Sequence, residues 1–110
     1  MPICRLLRIT CHEQEDWTGE DDPYIKINSE VVWGPKSMSA GETREIYRDY
    51  QFNHRAKVTL YESDDWDPDD FLGEHVITRA DIGKGEQEFS FKEDDANYSI
   101  WIVALSHPTG

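Results

Sequence analysis

Acidic side chains crowd two stretches of this 110-residue chain: Asp16 and Asp22 bracket the first, and Glu62, Asp64, Asp67 and Asp70 mark the second. Carboxylates supply hard oxygen ligands and repel one another, so a fold that gathers both groups needs a counter-ion. Calcium suits that role, because it takes about 6–8 oxygen ligands in irregular geometry; magnesium demands a compact octahedron and keeps its waters. Without the ion such loops are splayed by mutual repulsion. A divalent ion bound to both orders them together and raises the melting temperature through linkage.

The elements that must carry these loops are strands. Turn signals recur every eight to twelve residues, and apolar and polar positions alternate between them, which is the pattern of an all-β sandwich or barrel. In the first run Ile3, Leu7, Ile9 and Cys11 fall on one face and Cys4, Leu6, Arg8 and Thr10 on the other. A loop over 13–22 leads into Tyr24-Ile25-Lys26-Ile27-Asn28, and Val31-Val32-Trp33 forms a short third strand ended by Gly34-Pro35. The segment from Glu45 to Phe52 is a weaker strand, with helix competing for its first half. Ala56, Val58 and Leu60 alternate with Arg55, Lys57 and Thr59 and run straight into the second acidic loop. Three further runs follow, over 71–77, 89–91 and 98–105, with a turn at Ala80-Asp81-Ile82-Gly83. The expectation is an antiparallel sandwich of seven to eight strands in a single domain spanning 1–110.

Several functions are disfavoured by composition. The formal charge is −12, from 23 acidic against 11 basic residues, so the summed field repels nucleic acid and bare anionic membranes. An EF-hand starting at Asp65 fails: Asp70 stands where the glycine belongs, Pro68 stiffens the turn, and Val76 occupies the place of the bidentate acid. Paired carboxylates also serve glycosidases and metal-dependent nucleases. Here no Ser/His or Cys/His arrangement and no phosphate-cradling glycine loop accompanies them, and the four histidines lack metal-binding spacing, so the expectation is not an enzyme. On one extended strand Cys4 and Cys11 would stand roughly 23 Å apart on opposite faces, too far for a disulfide.

The segments Asp16-x5-Asp22-Pro23-Tyr24 and Tyr61-Glu62-Ser63-Asp64-x5-Asp70-Phe71-Leu72-Gly73-Glu74 resemble the C2 domain family, the calcium-dependent phospholipid-binding β-sandwiches. That family carries an aspartate six residues before Asp-Pro-Tyr in its first calcium loop, and Tyr-Asp-x-Asp-x5-Asp in its third. The resemblance implies a compact eight-stranded C2-like Greek key whose apical loops chelate calcium. It implies Asp16, Asp22, Glu62, Asp64 and Asp70 as ligands, with Asp67 outermost. Glu62 replaces the usual aspartate, the customary Pro-x-Trp-Asn-Glu segment is missing, and the lysine-rich groove of some members has no clear counterpart.

Trp17 and Trp66 sit beside ligand positions where membrane-docking relatives expose apolar residues, so both are candidate contacts to a membrane or a protein partner. Tryptophan suits the interfacial zone, where the ring buries its body and keeps its N–H wet. Trp33 and Trp101, set in β runs, are expected in the core, and Phe71 is expected to cover the loop base. The implied cofactor is Ca²⁺. The implied partner is an anionic phospholipid membrane, with a calcium-stabilised protein-recognition module lacking lipid binding as the alternative. A monomer is expected. The segment after Met1 reads as neither secretory signal nor membrane span, so the expected location is cytoplasmic, and peripheral to a membrane when calcium is bound.

Overall fold

The computed structural model describes residues 1–16 and 18–108, so Trp17 lies outside the described residues. Eight strands form in chain order: β1 (Ile3–Glu13), β2 (Pro23–Ile27), β3 (Glu30–Trp33), β4 (Thr43–Gln51), β5 (Arg55–Glu62), β6 (Asp70–Thr78), β7 (Gln87–Phe91) and β8 (Asn97–Leu105). They make two antiparallel four-stranded sheets, ordered β4-β1-β8-β7 and β3-β2-β5-β6. The segment that could have been helix is the edge strand β4, because pairing along β1 overrides its weak local preference.

Alternation builds the core as expected on β5: Ala56, Val58 and Leu60 are fully buried, while Arg55 is exposed. They meet Ile25 and Ile27 from β2 and, from the facing sheet, Leu6, Ile9, Tyr98, Ile100 and Ile102. Each fully buried aliphatic side chain of this kind contributes about 1.5–3 kcal/mol.

The first strand departs from simple alternation. Leu6 pairs with Ile102 and Arg8 with Trp101, which leaves Leu7 as an extra bulged residue. A bulge flips the parity of everything after it. Cys4 and Leu6 therefore face inward before it, and Ile9 and Cys11 after it, so both cysteines lie in the core rather than on opposite faces. They are free thiols, and burial pushes Cys4 up to about 12. Two aromatic expectations are also corrected. Trp101 is only partly buried and lies under the Arg8 guanidinium, 4.6 Å from the ring centre. Phe71 is 43% exposed and meets Tyr61 edge-on rather than covering the loop base.

Because neighbouring strands are antiparallel throughout, every connection from an odd to an even strand lies at one end of the sandwich. Those four connections (14–22, 34–42, 63–69 and 92–96) hold 13 of the 23 acidic residues and two of the 11 basic ones. Nearly all of the net negative charge is thus concentrated at one pole. Among the described residues no helix is long and apolar enough to cross a membrane.

Candidate cation site at the acidic pole

The loop over 14–22 is fastened from below by Asp21. This aspartate is fully buried, and its carboxylate accepts hydrogen bonds from the backbone N–H of Glu15 (2.8 Å) and Asp16 (3.0 Å) and from the Tyr98 hydroxyl of β8 (2.6 Å). Three donors offset the cost of burying its charge. Its backbone N–H and carbonyl pair with Met38 at 3.0 and 2.9 Å, tying the 34–42 loop to the same anchor. A close backbone approach begins that loop: at Gly34, φ is +82° and a Cβ would stand 2.5 Å from the Pro23 carbonyl oxygen, so only glycine fits.

The 63–69 loop organises itself differently. Asp64 takes the backbone N–H groups of Trp66 (3.0 Å) and Asp67 (3.2 Å) on one oxygen, while its own N–H donates to Asp69 (3.0 Å). Asp69 also accepts from the Tyr24 hydroxyl, and that bond with the Asp64 N–H holds its carboxyl below the usual range. This local turn lifts Trp66 to the tip of the loop, where it is 93% exposed. The two acidic loops are joined by Ser63 N–H to the Asp22 carbonyl (3.0 Å) and by Asp22 N–H to Glu62 Oε2 (3.1 Å).

Three sets of carboxylates bring one oxygen apiece within 4.8 Å of one another: Glu62, Asp64 and Asp70; Glu15, Asp16 and Asp21; and Glu15, Asp70 and Asp94. Of the residues marked in the sequence, Asp16, Glu62, Asp64 and Asp70 enter these sets. The Asp22 carboxylate instead accepts from Ser37 Oγ at 2.9 Å, and Asp67 is exposed outside all three. Glu15, Asp21 and Asp94 were not singled out. Glu15 is adjacent to a marked residue, whereas Asp94 belongs to an acidic run, Glu93-Asp94-Asp95, whose place beside β6 follows only from the strand order.

The electrostatics carry the mark of carboxylates held too close. Glu62 is 1% exposed, and its Oε1 has no hydrogen-bond partner. Burial, opposed by the Asp22 N–H and reinforced by Asp16, Asp21 and Asp70, pushes its carboxyl up to about 7. Glu15 Oε2 is likewise buried without a partner, and burial followed by contact with the Asp16 and Asp70 carboxyls pushes it up as well. Asp70 is raised chiefly by burial, against the lowering effect of its bond with Glu15. An all-carboxylate donor set with two unpartnered buried oxygens fits a hard divalent cation.

No family model matches the sequence, and no curated protein matches it. Solved structures do match the fold. A C2 domain aligns over 96% of both chains at 17% identity with a TM-score of 0.58. The two tandem C2 domains of extended synaptotagmin 2 align over 94% of this chain and 40% of that one, at 17% identity and a TM-score of 0.58. Human GIVD cytosolic phospholipase A2, in complex with methyl γ-linolenyl fluorophosphonate inhibitor and terbium chloride, aligns over 97% of this chain and 17% of its own, at 13% identity and a TM-score of 0.56. The chain therefore has a C2-like fold, an all-β sandwich of two antiparallel four-stranded sheets.

Proposed function

We propose that this chain is a calcium-binding C2-like module whose acidic pole engages a phospholipid membrane once loaded, and that it acts as a binding module rather than an enzyme. The observation that carries the proposal is Glu62: a carboxylate that is 1% exposed, with one oxygen unpartnered, facing Asp64 and Asp70. A buried anion set against two others is stabilised by a cation and by little else. Glu62, Asp64 and Asp70, with Glu15 and Asp16 across the cleft, are the residues that would hold calcium, which neutralises the pole when bound. The fold shared with C2 domains supports the reading, as does the terbium chloride complex of the phospholipase, since that cation is also a hard one.

Trp66 supports the membrane side of the reading. It stands 93% exposed at the tip of the loop that carries Asp64, so an interfacial aromatic and the cation ligands share one turn. With most of the net charge at this pole, docking on an anionic surface is conditional on the ion. The test is co-sedimentation with phosphatidylserine-containing vesicles. Pelleting with calcium, its absence with chelator, and its loss in Trp66→Ala are expected. Calcium-induced stabilisation with no pelleting at all would replace the membrane by a protein partner.

A further inference from the structure

At the pole opposite the acidic loops, the β2–β3 turn and the β4–β5 turn border a cleft of about 450 Å³ lined by Asn28, Ser29, Asn53, His54, Arg55 and Lys57. In a chain with twice as many acids as bases, no carboxylate lines it. Its rim is rigid. Asn28 donates from Nδ2 to the Arg55 carbonyl (2.9 Å) and accepts the Lys57 N–H on Oδ1 (2.8 Å), while its own N–H reaches the Lys57 carbonyl (3.1 Å). On the other side Arg79 donates to the Asn53 carbonyl (2.9 Å) and to its Oδ1 (3.4 Å), which fixes Asn53 by its acceptor end and adds a further cation beside the cleft.

The positive groups here are largely uncompensated. Among the described residues Arg55 makes no ion pair, and Lys57 has only Glu74 at 4.0 Å, on the outer face of the sheet. The length of β5 separates Arg55 from Glu62 by about 23 Å, at 3.3 Å per step. That is more than two Debye lengths at physiological ionic strength, where the screening length is about 8 Å, so the acidic pole does not cancel this field. Arginine, lysine and neutral donors around a space larger than a bare oxyanion match a doubly charged tetrahedral group carried on a larger polar body.

We propose that this cleft binds a phosphomonoester group, presented by a soluble metabolite or by a lipid headgroup. The proposal is independent of calcium, so the experiment is run in chelator. Glycerol 3-phosphate is titrated into the ¹⁵N-labelled chain, and phosphatidylcholine vesicles with and without phosphatidic acid are tested by co-sedimentation. Amide shifts confined to residues 28–29 and 53–57 are expected, weakened about tenfold or more by the double substitution Arg55→Gln with Lys57→Gln, because each charge-assisted contact is worth about a decade of affinity. Both side chains are solvent-facing, so the variant keeps its fold, and Lys84→Gln should bind as the wild type does. Shifts with phosphatidic acid-dependent pelleting assign the lipid source, and shifts without pelleting the soluble one. Absence of both, or binding that survives the double substitution, overturns the proposal.

Discussion

Replacing Glu62 by glutamine separates what its carboxylate costs from what it does. In the metal-free protein the carboxyl keeps its proton up to about 7, against an ordinary value of 4.5. Between those limits the native state binds more protons than the unfolded chain, so stability is greatest at the acid end and falls as pH rises through the window. The loss is about 2.5 pH units at about 1.4 kcal/mol each, or about 3 kcal/mol once the carboxyl is ionised. Glutamine has no proton to lose. Its carbonyl keeps the Asp22 N–H, and its NH₂ replaces the unpartnered oxygen with a donor beside Asp64 and Asp70. Glu62→Gln is therefore expected to gain about 3 kcal/mol over wild type above the raised pKa in chelator, and nothing near the ordinary carboxylate pKa. Urea unfolding followed by tryptophan emission across that range measures it. Glu15, raised by burial and by Asp16 and Asp70, leaves a smaller slope in both proteins. A variant no more stable than wild type above that window, or one with an equal slope, refutes the reasoning. In excess calcium the ranking should invert, because the variant lacks a ligand that the ion needs.

Other consequences follow from the loop anchors. Tyr98→Phe removes a donor from the buried Asp21 carboxylate and should cost about 1–3 kcal/mol in urea unfolding, with a core otherwise unchanged. An unaltered midpoint would mean that Asp21 is held by its two backbone donors alone. Gly34→Ala meets the Pro23 carbonyl oxygen at 2.5 Å with φ at +82°, so it should lose at least about 2 kcal/mol and display the 34–42 loop to limited proteolysis.

Much of the architecture is legible in the residues, for reasons that also explain what is not. Alternation of Ala56, Val58 and Leu60 fixes β5, and the Asp-Pro-Tyr turn fixes where β2 begins. The Leu7 bulge is not legible, because Leu6 and Leu7 are both apolar and either parity satisfies the pattern until β8 supplies the register. The cation ligands divide in the same way. Glu62, Asp64 and Asp70 come together because one hairpin, β5–β6, carries all three. Asp22, six residues after Asp16, turns to Ser37 in a third loop that spacing alone does not bring into view. Asp21 looks like one more acid in the sequence, yet full burial and the Tyr98 hydroxyl make it the anchor of the loop. Asp94 comes within reach of Glu15 and Asp70 only through the order β4-β1-β8-β7 facing β3-β2-β5-β6.

Calorimetric titration of Ca²⁺ into the metal-stripped chain, paired with a thermal melt of the same samples, addresses the central claim most directly. A saturable heat and a melting temperature that climbs with calcium, both abolished in Asp70→Asn, are predicted. A flat titration with an unmoved melt contradicts the claim that the carboxylates of the acidic pole form a divalent-cation site.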